Sequence, residues 1–128
     1  MSAKPVFLVV DDSRLHHQMY MLVFAKGALA GSTLLHAKNG REGYALFTTH
    51  PEIEMVFLDL NMPEMNGLEL AEALHSAPET MRTRVVVASG AVGVEERARF
   101  EKIGVVNIFE KPIRPQAFLE VMQSAIAA

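Results

Sequence analysis

Cysteine is absent from this 128-residue chain, which excludes disulfide frameworks, zinc knuckles and thiol chemistry and mildly favours a reducing compartment. Charge of one sign is scarce as well. Twelve Lys and Arg stand against 15 Asp and Glu, a net charge of -3 spread along the sequence, so neither a nucleic-acid stripe nor an acidic tail is indicated. Long apolar runs are missing too. Val6–Val10 is too short for a signal peptide and runs straight into Asp11 and Asp12, and no other run approaches a membrane span. The simplest expectation is a soluble cytoplasmic protein with no membrane insertion and no direct contact with nucleic acid. Half of the residues are apolar, enough for one domain over residues 1–128 to build a core without cross-links.

Apolar, β-branched runs recur and end abruptly on polar residues. Val6–Val10 ends on Asp11-Asp12-Ser13, Met55–Leu58 on Asp59, Arg84–Ala88 on Ser89-Gly90, and Val105–Phe109 on Glu110-Lys111-Pro112. Such runs lack a 3.6-residue period and read as parallel strands covered on both faces. Thr33–Ala37 is a weaker strand of the same kind. Between them lie helical patterns. Leu15, Met19, Leu22 and Val23 are spaced for a helix from Arg14 into the Lys26–Ala30 region. Asn39-x-x-Glu42 and Asn66-x-x-Glu69 have the form of capping boxes, placing one helix before Pro51 and another from about Gly67 to before Pro78. Glu95 to Ile103 reads as a charged helix capped by Gly104, and Phe118, Val121, Met122 and Ala125 mark the apolar face of a final helix.

Five strands alternating with five helices imply an α/β fold, a doubly wound five-stranded parallel sheet of flavodoxin-like (βα)5 type, for which the common strand order is 2-1-3-4-5. The first and third strands are then neighbours. Asp11 and Asp12 come to lie beside Asp59 at the carboxyl edge, with Ser89 and Lys111 on the two following strands. Three carboxylates brought together need a raised pKa or a divalent cation. With neither cysteine nor clustered histidine, a hard ion such as Mg2+ (or Mn2+) is favoured, held by Asp12, Asp59 and a backbone carbonyl near Asn61, with Asp11 helping directly or through water. A lysine and a hydroxyl facing such an ion suit a phosphoryl group, and a carboxylate can itself be the nucleophile that forms an aspartyl phosphate. Asp59 is the candidate for that role.

These pieces, Asp11-Asp12, Asp59 with Met62-Pro63 and Asn66-Gly67, Ser89, and Lys111-Pro112, appear in an order and spacing that resembles the response-regulator receiver domain of two-component signalling, over essentially the whole chain. The resemblance implies that Asp59 accepts a phosphoryl group from a phosphohistidine on a histidine kinase or histidine phosphotransfer protein. It also implies Mg2+ at Asp11, Asp12, Asp59 and the Asn61 carbonyl, phosphoryl contacts from Ser89 and Lys111, and a signalling switch that assists its own phosphorylation and dephosphorylation rather than a classical enzyme. In this family the region equivalent to Glu95–Phe118 often binds an output partner. One departure stands out. The aromatic residue usual three positions before the lysine is Ile108 here, and alternation should send the adjacent Phe109 to the opposite face.

Other readings attach to the same residues. Asp11-Asp12-Ser13 could cap a helix, and Glu95–Lys102 could be no more than a solvated face. The five histidines lack metal-ligand spacing and read as structural or surface residues. A Mg2+-dependent phosphohydrolase acting through an aspartyl phosphate is a further alternative; enzymes of the haloacid dehalogenase type typically place Asp-x-Asp after the first strand and add a substrate cap, whereas the first-strand pair here is contiguous and no insertion is long enough for a cap. A receiver-like module that works without phosphate is the alternative that Ile108 keeps open.

Overall fold

The computed structural model describes residues 5–25, 30–60, 62, 65–76, 84–105, 107–111, 114, 116 and 120. Its elements, in chain order, are β1 (Val6–Val10), α1 (Arg14–Phe24), β2 (Thr33–Ala37), α2 (Gly40–Thr49), β3 (Ile53–Leu58), α3 (Gly67–Ser76), β4 (Arg84–Ser89), α4 (Val94–Lys102) and β5 (Asn107–Glu110). All neighbouring strands pair in parallel, and the sheet order is β2-β1-β3-β4-β5. The expected doubly wound α/β sheet is therefore present, with four helices among the described residues. Of the fifth helix, placed by the sequence on Phe118–Ala125, the described residues include only Glu120, which is helical; the rest of that stretch lies outside them.

Strand alternation divides the core in two. Leu8, Val10, Val56, Leu58 and Val87 point to one face, where they meet Phe47 of α2, Leu68, Leu70, Ala71 and Leu74 of α3, and Phe100 of α4. Phe7, Val9, Met55, Phe57 and Val86 point to the other, against Tyr20, Val23 and Phe24 of α1. Because successive side chains of a strand leave opposite faces, a run apolar at every position is what two-sided coverage requires. The same rule sorts β5. Ile108 packs with the first cluster and Phe109 with the second, so the adjacent aromatic does point away, as expected from the sequence.

Local signals set the helix ends. Ser13 caps α1 by accepting from the His16 amide at 3.4 Å. Asn66 and Glu69 form the full reciprocal box at the start of α3, with amide-to-side-chain distances of 2.9 and 3.2 Å. At the end of α4, Gly104 has φ +88°, its amide donates to the Glu101 carbonyl, and the Val105 amide donates to Phe100. That pair of bonds is a Schellman closure, which needs the left-handed conformation glycine adopts without penalty. It draws Val105 into the turn, so β5 starts at Asn107 rather than at Val105. In α1, the residues whose spacing marks the helix are not all buried. Leu15 and Leu22 are exposed while Tyr20, Val23 and Phe24 face the sheet. The direction of the helix follows its aromatic contacts with Phe7 and Phe57.

Phe57 touches three aromatic rings, those of Phe7, Tyr20 and Phe24, with centroids 5.4 to 5.9 Å away. Phe57→Ala should lower the unfolding free energy by about 3–5 kcal/mol, as for other truncations of fully buried aromatics. Urea denaturation measures this, and a loss near zero would contradict the packing described.

Candidate functional site

The strand pairing is prolonged by one residue at the carboxyl edge, and that extra step carries the polar groups. The Asp11 amide donates to Ala37 at 3.1 Å, the Asp59 amide to Val10 at 3.0 Å, and the Lys111 amide to Ser89 at 2.8 Å. Since Val10 and Leu58 are register partners, the next residues of both strands, Asp11 and Asp59, emerge side by side. Asp11 is folded back by accepting from the Ser13 amide at 2.8 Å, so the helix cap and the buried carboxylate belong to one turn. Behind Asp59 the chain returns closely. The Gly67 amide donates to Leu60 at 2.9 Å, and a Cβ at Gly67 would run into the Asp59 carbonyl. Glycine is required there by the close approach of two backbone segments.

Asp11, Asp12 and Asp59 each offer a carboxylate oxygen within 4.8 Å of the others. Asp11 and Asp59 are buried, whereas Asp12 reaches solvent. Two buried like charges at such range repel strongly, and counter-charge relieves the repulsion. Lys111 supplies one. Its Nζ lies 2.9 Å from Asp11 Oδ2 and 3.7 Å from Asp59 Oδ2, with the side chain only 13% exposed. One lysine against three carboxylates leaves a net negative pocket of hard oxygen donors, which fits a small divalent cation. Ser89 is fully buried, and its Oγ has no hydrogen-bond partner among the described residues. An unmatched buried hydroxyl is costly unless an acceptor arrives. Beneath the site, burial and then the charges of Asp11 and Asp59 push the Tyr20 hydroxyl pKa well above its ordinary value, so the phenol stays neutral.

Five of the six residues singled out from the sequence, Asp11, Asp12, Asp59, Ser89 and Lys111, lie at this edge of the sheet. Asn61, whose carbonyl was the sixth, lies outside the described residues. Two histidines that spacing left aside belong here as well. His16 Nδ1 is 2.8 Å from Lys111 Nζ and 3.2 and 3.3 Å from the Asp11 carboxylate oxygens. His17 Nε2 is 2.7 Å from the Asp11 carbonyl, and its Nδ1 is 2.7 Å from His36 Nδ1 on β2. A carbonyl only accepts, so His17 carries a proton on Nε2, and one of the two facing Nδ1 atoms donates to the other. The signal for His16 was available in the cap. Ser13 at the cap puts His16 on the first turn of α1, directly over the strand end.

The class defined by this fold and site is a five-stranded α/β domain with an acidic, lysine-compensated pocket at the carboxyl edge of its sheet. The family model of the response regulator receiver domain matches residues 7–123, and the chain belongs to that family, whose members are signalling switches rather than classical enzymes. Among curated proteins it is similar to a chemotaxis protein CheY homolog of Campylobacter jejuni, 29% identical over 119 residues that cover 93% of this chain and 90% of that one. Among solved structures it resembles a response regulator receiver protein from Pseudomonas putida, with TM-score 0.85 and 25% identity over 97% of this chain and 99% of the other. The fold is also that of the CheX-CheY-BeF3-Mg+2 complex from Borrelia burgdorferi, with TM-score 0.84 and 22% identity over 95% of this chain and 89% of that one. No helix among the described residues is long and apolar enough to cross a membrane.

Two consequences are measurable. Gly67→Ala should cost about 1–3 kcal/mol in urea unfolding, because the added methyl has to displace the Asp59 backbone; an unchanged midpoint would refute the close approach. The His36 pKa is held below its ordinary 6.5 by loss of water around the ring and then by His17. The folded state therefore disfavours the proton that the unfolded chain takes up, and this contribution to stability is present above the ordinary histidine pKa and lost as pH falls below it. Between about pH 7.5 and about pH 5.5, wild type should lose more stability than His36→Gln. Parallel declines would show that the histidine pair does not report on folding.

Proposed function

We propose that Asp59 is the phosphoacceptor of this receiver and that its modification switches partner binding. In the transfer, an Asp59 carboxylate oxygen attacks the phosphorus of a phosphohistidine on a histidine kinase or phosphotransfer protein. The new P–O bond forms as the P–N bond breaks, and the departing imidazole recovers a proton from solvent. Lys111 donates to a phosphoryl oxygen and balances the charge added to a pocket already rich in carboxylates. Ser89 gives the same group its unmatched buried hydroxyl. Asp11, Asp12, Asp59 and the Asn61 carbonyl would hold a Mg2+ (or Mn2+) ion, which would supply positive charge against the phosphoryl oxygens. The same residues let the domain assist its own phosphorylation and dephosphorylation.

The observation that carries this reading is the convergence of three carboxylates within 4.8 Å, with a half-buried lysine 3.7 Å from Asp59 Oδ2. The BeF3 and Mg2+ of the Borrelia burgdorferi complex support the same pairing here. The switch would act in the cytoplasm. Its output would pass through the surface from Glu95 to Phe118, where Val94 at its border is 87% exposed and Arg99 reaches back to Glu72 at 2.7 Å. Aspartyl phosphate adds charge at the sheet edge, and drawing Ser89 and Lys111 toward it re-sets the loops after β4 and β5. With Ile108 in the first core cluster, that re-setting proceeds without an aromatic at this position.

Incubation with acetyl phosphate and Mg2+ should add the mass of one phosphoryl group to wild type, and none to Asp59→Asn or to wild type without metal. A phosphohistidine donor serves as the second phosphoryl source. If both donors leave the wild-type mass unchanged, the receiver works without phosphate.

A further inference from the structure

We infer that His16 is a positioning residue that latches Lys111 away from Asp59 in the unphosphorylated state. This rests on the phosphoacceptor reading of Asp59, but on different atoms. The Lys111 ammonium has three N–H groups and no lone pair, so at 2.8 Å His16 Nδ1 can only accept from it. The unprotonated Nδ1 in turn has nothing to donate to Asp11, and its 3.2 and 3.3 Å contacts there come from sharing the lysine.

The distances then divide the ammonium between its neighbours. Asp11 Oδ2 at 2.9 Å and His16 Nδ1 at 2.8 Å are hydrogen bonds, whereas Asp59 Oδ2 at 3.7 Å is not. Lys111 is parked on the Asp11 side. To donate to a phosphoryl oxygen carried by Asp59, the ammonium has to swing toward it, and the His16 bond stretches and breaks. His16 comes from α1, whereas Lys111 follows β5, so the bond is also a tie between elements far apart in sequence. With its side chain 32% exposed, His16 belongs to neither core cluster. The latch therefore raises the cost of the phosphorylated arrangement and sets how much of the chain occupies it.

The test uses beryllofluoride with Mg2+ as the phosphoryl mimic, titrated into wild type, His16→Leu and His16→Asn and followed by NMR. Loss of the acceptor in His16→Leu should tighten beryllofluoride binding by about 3- to 10-fold, the scale of one partly exposed hydrogen bond to a charged group. His16→Asn, whose Oδ1 falls close to the place of Nδ1, should restore the wild-type affinity. The nitrogen-15 shift of His16 in the free protein should be that of an unprotonated Nδ1, and it should move when beryllofluoride binds. An unchanged or weaker affinity in His16→Leu, an Asn variant that behaves like Leu, or a protonated Nδ1 in the free protein would each overturn the latch. Wild type that binds no beryllofluoride would count against the phosphoacceptor reading instead, and the nitrogen shift of the free protein would still decide the latch.

Discussion

The structure depends on holding Asp11 and Asp59 buried and adjacent, each removed from water and within reach of the other's charge. Nothing in the hydrophobic core favours that placement. It is enforced by the sheet. β1 and β3 pair in a register that ends at Val10 and Leu58, and both carboxylates are the next residues out. Slipping either strand by one position would exchange its two faces and empty both core clusters, so the apolar packing holds the register and thereby the charges. The free energy of two-sided burial is spent on keeping two repelling groups in place.

Compensation comes from the far end of the chain. Lys111 arrives from β5 with its backbone N–H donating to the Ser89 carbonyl, and it neutralises part of the pocket while leaving it net negative. A site with that residual charge is poised for a cation and, once the cation is present, for an anion. Ser89, whose buried hydroxyl has no partner among the described residues, adds a second demand that a phosphoryl oxygen would meet. Two independent deficits, of charge and of hydrogen bonding, thus ask for the same ligands. The histidines of α1 couple that pocket to its surroundings, His16 through the lysine and His17 through the Asp11 carbonyl and β2.

Much of this was legible because each strand announces its own end. An apolar run that stops at Asp11, Asp59 or Ser89 leaves little doubt about where the carboxyl edge lies, and the strand order is the common one for a five-stranded doubly wound sheet rather than something the local pattern encodes. Asn66-Gly67 was legible as a cap, but its closer purpose was not. The clearance between Gly67 and the Asp59 carbonyl is a distance between segments that no local pattern encodes. The buried side of α1 was hidden for a related reason. Leu15 and Leu22 satisfy a helical period as well as Tyr20 and Phe24 do, and only the aromatic partners on β1 and β3 decide which face turns inward. His16 escaped notice because metal spacing was the wrong question. Its partner is a lysine 95 residues away; the Ser13 cap places His16 over the strand end, but the contact itself becomes visible only when β5 is laid beside β4.

The identity of the modified carboxylate tests the account most directly. Borohydride reduces an acyl phosphate to an alcohol, so treating the phosphorylated chain and sequencing its peptides by mass spectrometry marks the acceptor. Reduction confined to position 59 is the predicted result. Reduction at position 11 or 12, or modification that survives borohydride as a phosphoester elsewhere, would contradict the account of why these three carboxylates are held together.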